Sequence, residues 1–237
     1  MLEALIFDVD GTLADTEMAH MAAFNQAFAA EGLDWHWDLA TYTQLLHVSG
    51  GKERILYHWR QVQPDLRELD GQGVAQTVER LHLNKTAAYE QAVRDGQVHL
   101  RPGVLALIEA ALRAGLRLAI ATTTSPVNIA ALLRQALGAS WMDRFEVIED
   151  ASTAPLKKPH PQVYLNTLKR LGLSADACLA FEDSANGLRA ASAAGLPTVI
   201  TPNPFTAHHD FSGALRVLPD LASTSLDDLQ RWLRLPA

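Results

Sequence analysis

Two aspartates one residue apart stand near the start of the chain, where an apolar run ends. The run "LIF" at residues 5–7 leads into Asp8 and Asp10, and Gly11 follows directly. Taken alone, such an aspartate is a helix cap or a loop acid. In an open α/β sheet, however, ligands bind at the carboxyl ends of the strands. The pair is therefore a candidate for chemistry at the end of a first strand.

Polar groups of complementary kinds follow three further apolar runs. The segments are "AIATTTS", "KKPHP" and "FEDSANG", which supply hydroxyls with backbone N–H groups, a lysine and a second pair of acids. The residues concerned are Thr122, Thr123, Thr124, Lys158, Glu182 and Asp183. Because the carboxyl ends of parallel strands lie along one edge of a sheet, we expect these groups to share one rim with Asp8 and Asp10.

These residue types suit the binding of a phosphoryl group beside a divalent cation. Carboxylate oxygens are ligands for a hard cation such as Mg²⁺, and Thr122 and Lys158 suit the anion beside it. A phosphate ester repels a carboxylate nucleophile, so Mg²⁺ and Lys158 must neutralise charge before Asp8 can attack. Asp10 can reach the leaving oxygen, and Gly11 permits the turn that this placement needs.

The elements that would position these residues follow an α/β pattern. Short apolar runs alternate with longer segments of helical period, which is typical of a parallel sheet covered by helices. Several of the helical segments end at a glycine. The predicted strands are Ala4–Asp8, Arg117–Thr122, Phe145–Glu149, Cys178–Glu182 and Thr198–Ile200. The sequence thus predicts a Rossmann-like parallel sheet.

The stretch between the first two predicted strands breaks this alternation. From about residue 15 to residue 95 it shows helical patterns and no convincing buried strand. We therefore predict a catalytic core at residues 1–14 and 97–237, with an all-helical cap inserted at residues 15–96.

Within the predicted cap, the segment "SGGKERI" combines two glycines with two cations. Gly50 and Gly51 would let the backbone approach a ligand, and Lys52 and Arg54 supply positive charge at a helix start, which suits a phosphate. A flexible turn before a solvated helix explains the segment equally well.

Two other features of the cap are weaker signals. His82 and Lys85 are three residues apart and would face the same side of a helix, although such pairs commonly decorate exposed faces. Glu17 stands in the first turn of a helix, where a carboxylate interacts favourably with the dipole.

In their order along the chain, the motifs resemble those of the haloacid dehalogenase superfamily of phosphohydrolases. "DVDGT" is similar to the first motif, Thr122 to the second, Lys158 in "KKP" to the third and "EDSANG" to the fourth. The resemblance covers the whole chain, with the helical cap between the first two motifs. It implies a phosphatase built on an α/β core.

The resemblance also implies a role for each acid. Asp8 would be the nucleophile that forms an aspartyl-phosphate, and Asp10 would protonate the leaving oxygen and then activate water. Mg²⁺ would be held by Asp8, the backbone carbonyl of Asp10 and Asp183, with Glu182 in or next to that shell.

The cap resembles those of the CbbY branch of the superfamily. The similarity rests on "DTE" with Glu17, on Tyr42, on "GGKER" and on the pair His82 and Lys85. It implies that the cap binds the distal phosphate of a sugar bisphosphate while the core hydrolyses the other. Xylulose 1,5-bisphosphate, a Rubisco inhibitor, would yield xylulose 5-phosphate. The polar segment at residues 63–73 is expected to vary in length among such caps.

Composition bears on the partners of the protein. A formal net charge of −7 over 237 residues argues against a nucleic-acid binder. Neither a membrane span nor a signal peptide is indicated. The single cysteine, Cys178, cannot form an intrachain disulfide. We expect a cytoplasmic monomer that acts on a small-molecule sugar phosphate, with neither nucleic acid nor membrane as a partner.

Other activities fit parts of this pattern. β-Phosphoglucomutase shares the core, the cap style and the aspartyl-phosphate, and no residue excludes it. Phosphoglycolate phosphatase is a second alternative, although a small monophosphate leaves "GGKER" without an obvious ligand. A phosphoryl-accepting receiver domain also uses acids and a lysine on a parallel sheet, but it needs neither Asp10 nor a cap. A haloacid dehalogenase proper needs neither Mg²⁺ nor an acid at position 10.

Overall fold

The protein divides into two compact units. A computed structural model describes residues 1–63 and 71–234. The first unit, here called the core unit, comprises Met1–Thr16 and Val98–Ala237, and the second, the helical unit, comprises Glu17–Gln97. The boundaries fall after residues 16 and 97, against predicted boundaries after residues 14 and 96.

The described residues of the helical unit form four helices around an aromatic core. They are α1 (Glu17–Ala30), α2 (Leu39–Leu45), α3 (Gly51–Val62) and α4 (Gln72–Arg94). Trp37 is completely buried, and its ring centroid lies 4.7 Å from that of Phe24 and 4.8 Å from that of Phe28. No strand occurs in residues 17–63 or 71–97 of this unit. Most of the polar segment at 63–73, namely residues 64–70, lies outside the described ranges.

The core unit contains a six-stranded parallel sheet. Its strands are β1 (Ala4–Phe7), β2 (Arg117–Ala121), β3 (Val147–Glu149), β4 (Cys178–Glu182), β5 (Thr198–Ile200) and β6 (Arg216–Val217), in the order β3-β2-β1-β4-β5-β6. Every pairing is parallel. The predicted fold class is therefore confirmed. Strand β6 was not predicted, because its two residues are exposed and no apolar run marks them.

Helices cover the sheet, which explains why the strands other than β6 are largely apolar runs. They are α5 (Val104–Arg113), α6 (Pro126–Leu137), α7 (Gln162–Leu171), α8 (Ala185–Ala193) and α9 (Leu226–Arg234). On one face, small strand residues such as Ala119 and Ala180 pack with Tyr164 of α7. Alternate residues point to the other face, where the rings of Phe7 and Phe181 stack at 4.7 Å.

The register of the central strands determines which residues meet at the rim. Strand β1 lies between β2 and β4, and Phe7 is level with Ile120 on one side and Phe181 on the other. Asp8, the next residue, is thus level with the ends of both neighbours. This is where the strand order reverses, the usual position of a ligand crevice in such sheets. Among the residues described, no helix is both long and apolar enough to cross a membrane.

Candidate active site

Lys158 connects the ends of the three central strands. Its Nζ donates to Asp8 Oδ1 at 2.6 Å, to Glu182 Oε1 at 2.5 Å and to the Ala121 carbonyl at 2.9 Å. All three side chains are buried. Burial opposes the charged form of Lys158, but Asp8 and Glu182 outweigh that effect and raise the pKa of the ammonium. Lys158 is therefore a fixed positive charge beside Asp8.

A third buried carboxylate, Asp183, lies beside the two that contact this ammonium. Ligand oxygens of Asp8, Glu182 and Asp183 all lie within 4.8 Å of one another. Burial raises the pKa of Asp8 to about 7. The charge of Lys158 lowers this pKa, whereas the charge of Glu182 raises it further. Ionisation of all three carboxylates beside one ammonium would leave an excess of two negative charges, which is costly in a buried site. A divalent cation would balance this excess, so the oxygen donors present fit Mg²⁺.

Asp183 is oriented by a side chain that the sequence analysis did not identify. Asn203 Nδ2 donates to Asp183 Oδ2 at 2.7 Å. Gly11 packs against Asp183 and Asn203, and a Cβ on Gly11 would lie 2.4 Å from Asp183 Oδ2. The φ of Gly11, 76°, also favours glycine. The buried Arg101 donates to the Gly11 carbonyl at 2.6 Å. The loop after β1 is thus held from two sides.

Threonines after β2 contact Asp10 and one another. Thr124 Oγ1 donates to Asp10 Oδ2 in a short hydrogen bond. The Thr124 N–H donates to the buried Thr122 Oγ1 at 3.3 Å, while the Thr122 N–H donates to the Glu149 carbonyl at 3.0 Å. Thr123 is half-buried between them. Asp10 is therefore held by the segment after β2, whereas Asp8 is held by Lys158.

Glu182 has two further close neighbours. Tyr164 on α7 donates its hydroxyl to Glu182 Oε1 at 2.5 Å. On the other side, a Cβ at Gly187 would lie 1.8 Å from Glu182 Oε2, so glycine is required where α8 passes the acid.

In the helical unit, the predicted ligand residues form two groups. The first joins α1, α2 and α3: Tyr42 donates its hydroxyl to Glu17 Oε2 at 2.7 Å, and Arg54 Nη1 donates to the Tyr42 hydroxyl at 3.2 Å. Arg54 also donates to the carbonyls of Leu45 and Val48, each at 3.2 Å. Its guanidinium is therefore fixed in direction.

The second group surrounds the start of α3. The His82 ring lies 3.0 Å from where a Cβ on Gly51 would stand. Burial, then the charges of Lys85 and Lys52, lower the pKa of His82 to about 4, so the ring is neutral near pH 7. Lys85 is buried, and its Nζ lies 2.9 Å from His20 Nδ1.

Lys52 and Gly50 differ from the rest of the predicted set. The Lys52 side chain is 46% exposed and pairs with Glu79. Gly50 caps α3 with a φ of 97°, and a Cβ there would lie 2.1 Å from Glu53 Oε2. Lys52 and Arg54 are two residues apart on α3, so their side chains point to different sides of the helix.

Comparison with known proteins identifies the family. The model of the haloacid dehalogenase-like hydrolases matches residues 2–195. The chain belongs to this family. It is 58% identical over 220 residues to the protein CbbY, plasmid, of Cupriavidus necator, an alignment covering 93% of this chain and 86% of that one.

Two crystal structures of CbbY from Rhodobacter sphaeroides place this hydrolase in the CbbY branch. Both are 42% identical to it and superpose with a TM-score of 0.88, covering 97% of this chain. The first is in complex with phosphate, and the match covers 100% of that chain. The second is a variant in complex with xylulose-(1,5)bisphosphate, and the match covers 99% of that chain. The chain is a haloacid dehalogenase-like phosphatase.

Several residues around the sites of this phosphatase were missed by the sequence analysis. Asn203 follows β5 by three residues. A search for polar residues after each predicted strand, which identified the other rim residues, would have found it. His20 stands three residues after Glu17 on α1, and helical spacing was its signal. Tyr164 has no sequence signal, because its position on α7 resembles any buried helix residue. Nδ1 of His209 accepts the Ala185 N–H at 3.3 Å.

Proposed function

We propose that this phosphatase hydrolyses xylulose 1,5-bisphosphate to xylulose 5-phosphate and phosphate, with Mg²⁺ as cofactor and Asp8 as nucleophile. The observation that carries the proposal is the contact of Lys158 Nζ with Asp8 Oδ1, 2.6 Å long, inside a group of three buried carboxylates. The choice of substrate is supported by the solved complex of a relative with that sugar bisphosphate.

The cofactor would be held by oxygen atoms at the rim of the sheet. Asp8 and Asp183 offer carboxylate oxygens and Asp10 its backbone carbonyl, with Glu182 in or next to this shell. When bound, Mg²⁺ neutralises charge on the phosphoryl group, which lowers its repulsion of a carboxylate. Lys158 supplies the other positive charge at the same place.

The chemistry assigns one step to each aspartate. An oxygen of Asp8 forms a bond to phosphorus while the ester P–O bond breaks, and the Asp10 carboxyl gives its proton to the departing sugar oxygen. Asp10 then takes a proton from water as the water oxygen bonds to phosphorus, and the bond to Asp8 breaks. Phosphate leaves, and both aspartates return to their starting protonation states. Thr122 and Lys158 stabilise the negative charge on the phosphoryl oxygens.

The helical unit would act as the cap that binds the second phosphate. Its candidate ligands are side chains with N–H donors, or glycines whose backbone a ligand can approach, and they are Gly50, Gly51, Lys52, Arg54, His82 and Lys85. Tyr42 accepts from Arg54 and donates to Glu17, and these two residues offer oxygens to the sugar hydroxyls. Thr123 and Thr124 offer donors beside the reacting phosphate. Two anion sites explain why a bisphosphate is favoured over a small monophosphate.

The test is phosphate release from a panel of substrates with and without Mg²⁺. Xylulose 1,5-bisphosphate is compared with 2-phosphoglycolate and β-glucose 1-phosphate, and the sugar product is identified by ³¹P NMR. We expect the highest kcat/KM for the bisphosphate, Mg²⁺ dependence, and xylulose 5-phosphate as the product. Asp8→Asn should remove turnover and leave the fold intact. Transfer of the phosphoryl group to a sugar hydroxyl, or a preference for 2-phosphoglycolate, would contradict the proposal.

A further inference from the structure

The hydroxyl of Tyr164 has no role in the chemistry above, yet it contacts the acid cluster directly. Tyr164 is completely buried on α7 and donates to Glu182 Oε1 at 2.5 Å. Burial, then the charge of Glu182, raises the pKa of Tyr164 well above its usual value, so the hydroxyl remains a proton donor. The ring also lies beneath the ammonium of Lys158, whose Nζ is 5.1 Å from the ring centroid.

Both hydrogen-bonding directions of one Glu182 oxygen are consequently occupied. Oε1 accepts from Tyr164 and from Lys158 Nζ, each at 2.5 Å, and a carboxylate oxygen has two lone pairs. Oε2 lies against Gly187, which has no side chain to displace it. Glu182 therefore has at most one oxygen, Oε2, that is not already taken by these two hydrogen bonds.

We propose that Tyr164 is a positioning residue that sets the metal selectivity of this cluster by withholding Glu182 Oε1 from the cation. This inference rests on the Mg²⁺ site of the proposed function. Mg²⁺ takes about six ligands in a strict octahedron, whereas Ca²⁺ accepts about six to eight oxygens and readily binds carboxylates through both oxygens. A Glu182 limited to one oxygen thus disfavours Ca²⁺ relative to Mg²⁺.

The decisive variant is Tyr164→Phe, which removes the hydroxyl and keeps the ring. Mg²⁺ and Ca²⁺ binding are measured by isothermal titration calorimetry without substrate. We expect Ca²⁺ affinity to rise about three- to ten-fold, the effect of freeing one hydrogen-bonding direction, while Mg²⁺ affinity stays within about two-fold. Ca²⁺ inhibition of phosphate release should strengthen in parallel.

The matched control is Thr167→Val, one turn further along α7. Thr167 is also completely buried, and its hydroxyl donates only to the Val163 carbonyl, at 2.8 Å. This variant should leave the ratio of the two affinities unchanged. In a Glu182→Gln background, Tyr164→Phe should no longer shift the ratio, because the two residues act through one contact.

The outcomes separate this inference from the function on which it rests. An unchanged affinity ratio in Tyr164→Phe, or a parallel loss of both cations, would overturn the selectivity role and leave the phosphatase proposal standing. If the wild-type protein bound neither cation, the proposed cofactor and this inference would both be wrong. A shift toward Ca²⁺ that depends on Glu182 supports the inference.

Discussion

At the scale of single residues, the two aspartates after β1 have different surroundings. Asp8 is buried against Lys158, whereas Asp10 is half-buried and accepts a hydrogen bond from Thr124. In the proposed mechanism Asp8 acts on phosphorus, and Asp10 exchanges a proton. The difference leads to a test that separates the two roles.

Asp10→Asn should lower kcat about 100-fold or more, the usual loss when a general acid is removed. Mg²⁺ affinity should remain near the wild-type value, because the metal contact proposed for Asp10 is its backbone carbonyl. Calorimetric Mg²⁺ titration and steady-state kinetics on the same sample measure both quantities. A normal rate with weakened Mg²⁺ binding would reverse the roles assigned to the side chain and the backbone.

His82 gives a pH-dependent prediction for stability. Its folded-state pKa of about 4 lies below the ordinary value of 6.5, so the unfolded chain binds a proton more readily than the folded protein does. Stability from this residue is present above about pH 6.5 and is lost as the pH falls toward 4, by at most about 1.4 kcal/mol per pH unit. Urea unfolding of wild type and His82→Gln between pH 4 and 7 should show a smaller acid loss in the variant. Parallel curves would contradict this.

At the scale of elements, the packing of α8 against β4 controls the position of Glu182. Gly187→Ala would place a methyl group 1.8 Å from Glu182 Oε2, so either the carboxylate or the helix must move. We expect a destabilisation of about 1–3 kcal/mol and a loss of activity. Gly73→Ala is the control, since a Cβ there meets no atom of the described residues within 4 Å and the change should alter stability by less than about 1 kcal/mol. Thermal unfolding measures the stability of each variant, and kcat/KM measures its activity. Equal stability and equal activity of the two variants would show that Glu182 tolerates displacement.

At the scale of the whole molecule, the proposal divides the work between the two units. If the helical unit binds the distal phosphate, its binding energy is used to position the reacting phosphoryl group. Specificity for a bisphosphate should then depend on residues of the helical unit, whereas the rate of the chemical step on any phosphate should depend on the core unit.

Lys85→Met should therefore lower kcat/KM for xylulose 1,5-bisphosphate much more than for xylulose 1-phosphate, which lacks the distal group. Loss of a buried charged contact is worth about 2 kcal/mol or more, or roughly 30-fold. Arg80→Ala is the charge-matched control on the same helix, because Arg80 pairs with Glu31 at 3.3 Å. Equal losses on the two substrates would favour a monophosphate phosphatase or a phosphomutase.

The sequence alone determined the class of fold and the residue types at the rim. Buried parallel strands must be continuous apolar runs, and their carboxyl ends must leave the core, so a polar residue directly after such a run is visible without a structure. Asp8, Thr122 and Glu182 were predictable for this reason. The exposed β6 carries no such pattern and was missed.

Only the tertiary structure decided which donor satisfies which acid. The contacts of Lys158 with Asp8 and Glu182 join residues 150 and 24 positions apart, and they exist because the register of β1 sets Asp8 level with the end of β4. Tyr164 reaches Glu182 only because α7 packs on the face of the sheet that includes Ala180 of β4. Hydrogen bonds act over about 3 Å, a distance that strand register and helix packing determine and local sequence patterns do not.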